Sequence, residues 1–144
     1  MAHTFPSAEW VESLVTILNE DPRYGQVARG WEGDLVFGIL PDGATRGAGV
    51  GVQHIYLDLW HGKCRKAAYH AAGSADVPSA AFTLSADNSQ FLRILAGDLD
   101  PMQAMLTRKL QVIGNMGYIL RNVHVVLDFV RCCRRVELEP RPAG

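Results

Sequence analysis

No stretch of this sequence approaches the ~20 consecutive apolar residues of a membrane-spanning helix, so none is expected. Cysteine is scarce too: Cys64, Cys132 and Cys133 are an odd number and include a vicinal pair. Adjacent side chains leave a helix in different directions, which makes Cys132 and Cys133 poor disulfide partners. Reduced thiols, and with them a cytoplasmic location, are the simpler expectation. The segment MAHTFPSAEW lacks the basic and apolar regions of a secretory leader. The ending Glu139-Pro140-Arg141-Pro142-Ala143-Gly144 matches no lipidation or organelle signal. No internal repeat, linker or second domain is visible.

Motifs of catalysis and metal binding are missing as well. Neither a CxxC nor an HExxH spacing occurs, whereas zinc asks for three or four converging ligands. His61 and Cys64, with His54 and Asp58 nearby, therefore read as hairpin residues. A Cys–His nucleophile pair would have to come from Cys64 and His70. With five histidines and three cysteines, however, some near pair is expected by chance. The glycine-rich Gly47-Ala48-Gly49-Val50-Gly51 precedes a strand, where a dinucleotide fingerprint needs a helix, and reads as a hairpin loop and mobile lip. A net charge of −1 and no basic strip interleaved with aromatics argue against nucleic-acid binding. No enzyme activity and no cofactor is implied.

What remains is an ordinary globular composition, 144 residues with 48% apolar content. A chain of this length buries roughly two-thirds of its surface on folding and needs no staple. One domain over 1–144 is expected, with a core at about 7–135 and a flexible tail at 136–144. Charge is uneven: residues 1–107 hold seven Lys/Arg against twelve Asp/Glu, and residues 108–144 hold seven against three. Such a surplus is either a solvated face or a contact for an anionic head group or membrane surface.

Ser7 caps a first helix with Glu9 in its first turn and Trp10, Leu14, Ile17 and Leu18 on one face. Asn19-Glu20-Asp21-Pro22 closes it, and a connection through Tyr24 and Val27 follows. Leu35, Phe37 and Ile39 alternate as a strand before the turn at Pro41-Asp42-Gly43. Ile55, Leu57 and Leu59 repeat the alternation, and His61-Gly62 turns the chain into a half-exposed strand at Lys63–Tyr69. The three read as an antiparallel meander. Residues 71–80 are loop-like, and Phe82 and Leu84 mark a fourth strand ending near Ser85. Asp87 with Gln90, and Asp100-Pro101 with Gln103, start two further helices, the first stopping at Gly97. Leu110–Ile113 is a fifth strand. Asn115 caps one long helix to about Arg135, with Met116, Ile119, Leu120, Val123, Val126, Leu127 and Val130 as a stripe widened by Tyr118, Val125 and Phe129. That face exceeds the ~100° a surface helix needs, so core, a lipid, a membrane or another subunit must cover it.

In this order the motifs resemble the sterol carrier protein type 2 domain family. The matching pieces are Gly30-Trp31-Glu32-Gly33-Asp34-Leu35, Tyr56-Leu57-Asp58-Leu59 with Gly62, and Phe82-Thr83-Leu84-Ser85-Ala86-Asp87. Phe91, Leu95-Ala96-Gly97, Asp100-Pro101 and Lys109-Leu110-Gln111-Val112-Ile113-Gly114-Asn115-Met116 complete the set. The resemblance spans about residues 7–130. It implies an α+β fold, a five-stranded mainly antiparallel sheet covered by helices with an apolar tunnel between them, and non-catalytic binding and transfer of a fatty acyl, acyl-CoA, isoprenoid or sterol-like lipid. The family has no universal catalytic residues. This chain departs from a plain apolar lid at Tyr118, Arg121, Asn122 and His124.

A lipid tail needs adaptable apolar lining, and methionine supplies it. Phe91, Leu92, Leu95, Met102, Met105, Met116, Ile119, Leu120 and Val123 are the expected lining, although the same residues would serve as ordinary core. Arg108, Asn115 and Arg121, with Lys109, are the expected head-group contacts, set against a reading as solvated surface. Each buried methylene contributes about 0.8 kcal/mol, so affinity needs no sharp polar motif. The partners expected are a lipid or fatty-acyl ligand, transiently a membrane surface, and a second copy if the chain dimerises. The alternative is an accessory module whose apolar last helix pairs with a partner protein. An enzyme acting on lipid would need polar groups such as His70, Cys64 and Tyr118 to converge.

Overall fold

A computed structural model describes residues 4–41, 51–74 and 76–136. The turn at Pro41-Asp42-Gly43 and the glycine-rich loop fall largely within 42–50, outside the described residues, as do residues 137–144.

The first helix, α1 (Ala8–Glu20), is capped as its sequence dictates: the Ser7 hydroxyl accepts from Trp10 N–H at 3.1 Å. Trp10, Leu14 and Leu18 are wholly buried and Ile17 is half-buried. The segment read as a connection is a helix, α2 (Pro22–Val27). Asp21 ends α1 and at the same time caps α2, accepting from Tyr24 N–H at 2.8 Å, and Pro22 fits the first helical turn, where no N–H is needed.

Strands β1 (Glu32–Leu40), β2 (Gln53–Trp60) and β3 (Lys63–His70) form the expected antiparallel meander. His61 and Gly62 both have positive φ, the primed geometry that suits a two-residue hairpin turn. A Cβ on Gly62 would lie 2.7 Å from the Gly25 carbonyl oxygen, so glycine also lets α2 approach the turn. After residues 71–81, β4 (Phe82–Asp87) runs parallel to β1, and β5 (Gln111–Ile113) lies antiparallel to β4 at the edge. The order β3-β2-β1-β4-β5 is a mixed, mainly antiparallel sheet. Between β4 and β5 come α3 (Asn88–Ala96) and α4 (Pro101–Leu106). Asp87 takes the N-cap position of α3 but makes no side-chain capping bond there. Asp100 does cap, accepting from Met102 and Gln103 N–H, and Gly97 ends α3 in the left-handed region.

The long final helix is two helices, α5 (Met116–Arg121) and α6 (Val123–Arg134). Asn122 leaves helical geometry at φ −123°, and its side-chain amide donates to the Tyr118 carbonyl at 2.8 Å. Tyr118 is itself anchored. Its hydroxyl accepts from Glu32 N–H at 3.0 Å, and its ring lies 5.0 Å from Trp31 and 5.9 Å from Phe82.

The helices pack on one face of the sheet, where Leu35, Ile39, Ile55, Leu57, Leu59 and Leu84 are buried. Val136, just past α6, is buried as well. Among the described residues no helix is long and apolar enough to cross a membrane.

Candidate functional site

Strand alternation sends Leu35 and Phe37 of β1, Leu59 of β2 and Leu84 of β4 toward the helices. Opposite them stand Phe91, Ile94 and Leu95 of α3, Met105 of α4, Ile119 of α5, and Val125, Val126, Phe129, Val130 and Cys133 of α6. Between these layers lies a cavity of about 80 Å³ that Phe5, Trp10, Tyr24, Trp31, Pro101 and Leu110 complete. Among the described residues no charged side chain lines it. Phe37 is part of the lining, stacked on Phe129 at 6.1 Å and edge-on to Phe91 at 5.7 Å. Burial pushes the Tyr24 phenol and the Cys133 thiol well above their ordinary pKa values, so both stay neutral.

Of the nine expected lining residues, Phe91, Leu95, Met105 and Ile119 border this cavity. Leu92, Met102, Met116 and Val123 are half-buried away from it, and Leu120 points outward at 53% exposure. Ile119, Val126, Val130 and Cys133 hold one helical spacing across Asn122, with Val125 and Phe129 beside them, and Leu120 and Leu127 fall on the other side. Aromatic lining from Phe5, Trp10, Tyr24 and Trp31 was missed because each reads locally as core.

The expected head-group residues are exposed and none of them borders the cavity. Arg108 and Lys109 share a polar groove with Gly38, His54, Ser85 and Gln111 on the sheet face away from the helices. Asn115 spends its side-chain oxygen on Tyr118 N–H at 3.0 Å, and Arg121 folds back beside Gly117.

The polar candidates for chemistry do not converge. Cys64 and His70 lie six residues apart along β3, ~20 Å in extended chain. Burial raises the Cys64 thiol to about 11, and Asn19 fixes its backbone. His61 meets Glu32 at 2.6 Å, and Asp58 holds Arg65. His54 instead faces His70 across the β2–β3 ladder, and its pKa is lowered by burial first and by His70 second.

An ionic cluster absent from the sequence reading joins α6 to the α1–α2 corner. Buried Asp21 accepts from Arg131 at 2.9 Å and Arg135 at 2.6 Å, while buried Asp128 holds Arg131 at 2.8 Å and meets Arg23 at 3.2 Å. The Arg131 hydrogen bond is the main reason the Asp21 carboxyl is held well below the usual carboxylate range. Asp21, Asp128 and Cys132 lie within 4.8 Å of one another, a metal-like spacing, but guanidinium groups supply the positive charge there. Asp128, Arg131 and Arg135 share one helical face, which was the signal available in the sequence.

The profile of the SCP-2 sterol transfer family matches residues 15–126. No curated protein sequence matches the chain. Among solved structures, a crystal structure of sterol carrier protein 2 is 28% identical and covers 90% of this chain and 97% of its own, with TM-score 0.78. A conserved hypothetical protein from Thermus thermophilus is 27% identical over 98% of this chain and 96% of its own, with TM-score 0.80. The sterol carrier protein 2 of Aedes aegypti, solved with palmitate, is 22% identical over 81% of this chain and 91% of its own, with TM-score 0.50.

Proposed function

The chain belongs to the SCP-2 sterol transfer family, and on that premise we propose that it is a cytoplasmic, non-catalytic carrier that takes up a long-chain lipid in the cavity between sheet and helices. The observation that carries this reading is a lining without a charged side chain, built from both layers. Binding draws on apolar burial alone, at about 0.8 kcal/mol per methylene before ordering costs. A fatty acyl or isoprenoid chain fits that chemistry, and the palmitate held by the Aedes aegypti protein supports an acyl chain.

The cavity, about 80 Å³, is smaller than the ~150 Å³ that holds benzene in an engineered protein core. Loading therefore requires the walls to part. Met105 is half-buried and unbranched, and α5 is six residues long, so the α4–α5 side yields most readily. An accessory module would have to pair through what the last two helices leave exposed, Leu120 and Leu127, since Ile119, Val125 and Phe129 turn inward.

Titration with a fluorescent fatty acid tests the reading. Met105→Trp fills the cavity and should weaken uptake at least about tenfold, a value set by the lost burial of a few methylenes. Leu120→Trp, outside it, should leave uptake unchanged. Equal effects of the two substitutions, or no uptake by the parent protein, would refute the assignment.

A further inference from the structure

The helices cover one face of the sheet, and a larger hollow lies on the other. This groove holds about 480 Å³, against about 80 Å³ for the apolar cavity. Sites for small molecules span ~300–1,000 Å³. Strand register builds the floor. His70, His54, Gly38, Ser85 and Gln111 are successive partners across β3, β2, β1, β4 and β5, so one row of residues crosses the whole sheet. Glycine keeps room in the middle of that row, since a Cβ at Gly38 would lie 2.9 Å from the Ser85 hydroxyl oxygen. Every other member carries a hydrogen-bonding side chain.

Two of those side chains have an atom without a match. Nδ1 of His54 and Nε2 of His70 are shielded from solvent, and among the described residues no atom hydrogen-bonds to either. Native structures seldom leave shielded polar atoms in that state without a role for them.

The turn out of α4 sets the charge at the rim. Arg108 and Lys109 border the groove and are exposed. Among the described residues neither enters an ion pair, in contrast to Arg131 and Arg135, which Asp21 holds. Asp87 is the acid beside them. Arg108 follows the C-cap residue Thr107 at φ 61°, in the left-handed region. Glycine or asparagine is the usual occupant of that position, because a side chain is strained there. An arginine kept where the backbone disfavours it points to a use for its guanidinium.

Two adjacent cations suit the nearly double negative charge of a phosphate monoester. A floor of imidazole, hydroxyl and amide groups suits a body rich in hydroxyls. Among the described residues the lining offers no phenyl or indole face on which a nucleobase could stack. We propose that the groove is a second ligand site, for a small phosphorylated polyhydroxy molecule such as a sugar phosphate. Arg108 and Lys109 take the phosphate, and His54, Ser85 and Gln111 take the hydroxyls. The site is separated from the apolar cavity by the sheet and does not rest on the function proposed above.

Titration of the full chain with glucose 6-phosphate, followed by proton–nitrogen NMR, tests this. The phosphosugar should shift the amide signals of Gly38, Ser85 and Gln111, and glucose should not. Inorganic phosphate should bind at least about fivefold more weakly, because it leaves the row unused. Arg108→Gly keeps the left-handed turn and removes the guanidinium. Its affinity should fall at least about tenfold, while its thermal midpoint should not fall, as it would if Arg108 served only the fold. Ser85→Ala should weaken binding about three- to tenfold. Arg121→Gln, exposed but away from the groove, should have no effect. Fatty-acid uptake should be the same in all three variants, so failure here and failure of the carrier reading are told apart. The proposal is overturned if glucose 6-phosphate shifts none of those amides, if glucose 6-phosphate and inorganic phosphate bind alike, or if Arg121→Gln weakens binding as much as Arg108→Gly.

Discussion

Two helices that follow one another in the chain, α5 and α6, close the same cavity by different means. α6 is held at its far end by charge: Arg131 and Arg135 reach buried Asp21 at the α1–α2 corner, and Arg134 donates to the Ile94 carbonyl of α3 at 2.9 Å. It also buries Val125, Phe129, Cys132 and Cys133. α5 buries only Ile119 and depends on one side chain, Tyr118, and one cap, Asn115. One wall is fixed and the other is lightly held. A carrier needs both, a template that keeps its shape and a side that opens at low cost.

The largest effect should follow from cutting the fixed wall. Asp21→Ala removes a helix cap and leaves two guanidinium groups without their buried acceptor, at about 2–4 kcal/mol given that both arginines are partly exposed. Thermal unfolding should fall by about 6–15 °C. The same contact has a pH signature. Because the folded-state pKa of Asp21 is depressed, its contribution is complete at neutral pH and is lost only as pH falls below about 4, toward the folded value. Stability measured between pH 7 and 5 should owe nothing to this group's titration, and a flat difference between parent and Asp21→Ala over that range is the check.

A smaller effect is expected at the lightly held wall. Asn115→Ala removes the α5 cap and should cost about 0.5–1 kcal/mol. Amide exchange should quicken in α5 while α6 keeps its protection, which hydrogen-exchange mass spectrometry resolves. If both helices loosened together, they would be one cooperative unit and the contrast would be void. Smallest of all, Leu127→Ser on the outer side of α6 should shift stability by no more than about 0.5 kcal/mol in urea titration.

Much of this contrast was hidden in the sequence for physical reasons. Strands β1 to β3 were legible because one face is buried, and period-2 alternation records that directly in Leu35, Ile39, Ile55, Leu57 and Leu59. The caps at Ser7, Asp100 and Asn115 were legible because they act within three residues. α2 was missed because Asp21-Pro22 stops one helix with the same residues that start the next. The division at Asn122 was illegible because Ile119, Val126 and Val130 keep helical spacing on either side of it. Helical spacing alone puts Leu120 and Leu127 on the same wide stripe as Ile119, Val126 and Val130, and only the packed structure separates them. The ionic cluster was missed for a like reason, since Asp21 and Arg131 meet only through the fold.

The most direct measurement is isotope-edited NMR of the protein bound to carbon-13-labelled palmitate. The account predicts contacts from the chain methylenes to the methyl groups of Ile119, Val126 and Val130, which border the cavity, and none to Leu120 or Leu127. Contacts to Leu120 and Leu127 without those to Ile119 and Val130 would place the lipid on the outside of the helices, and the cavity would not be its site.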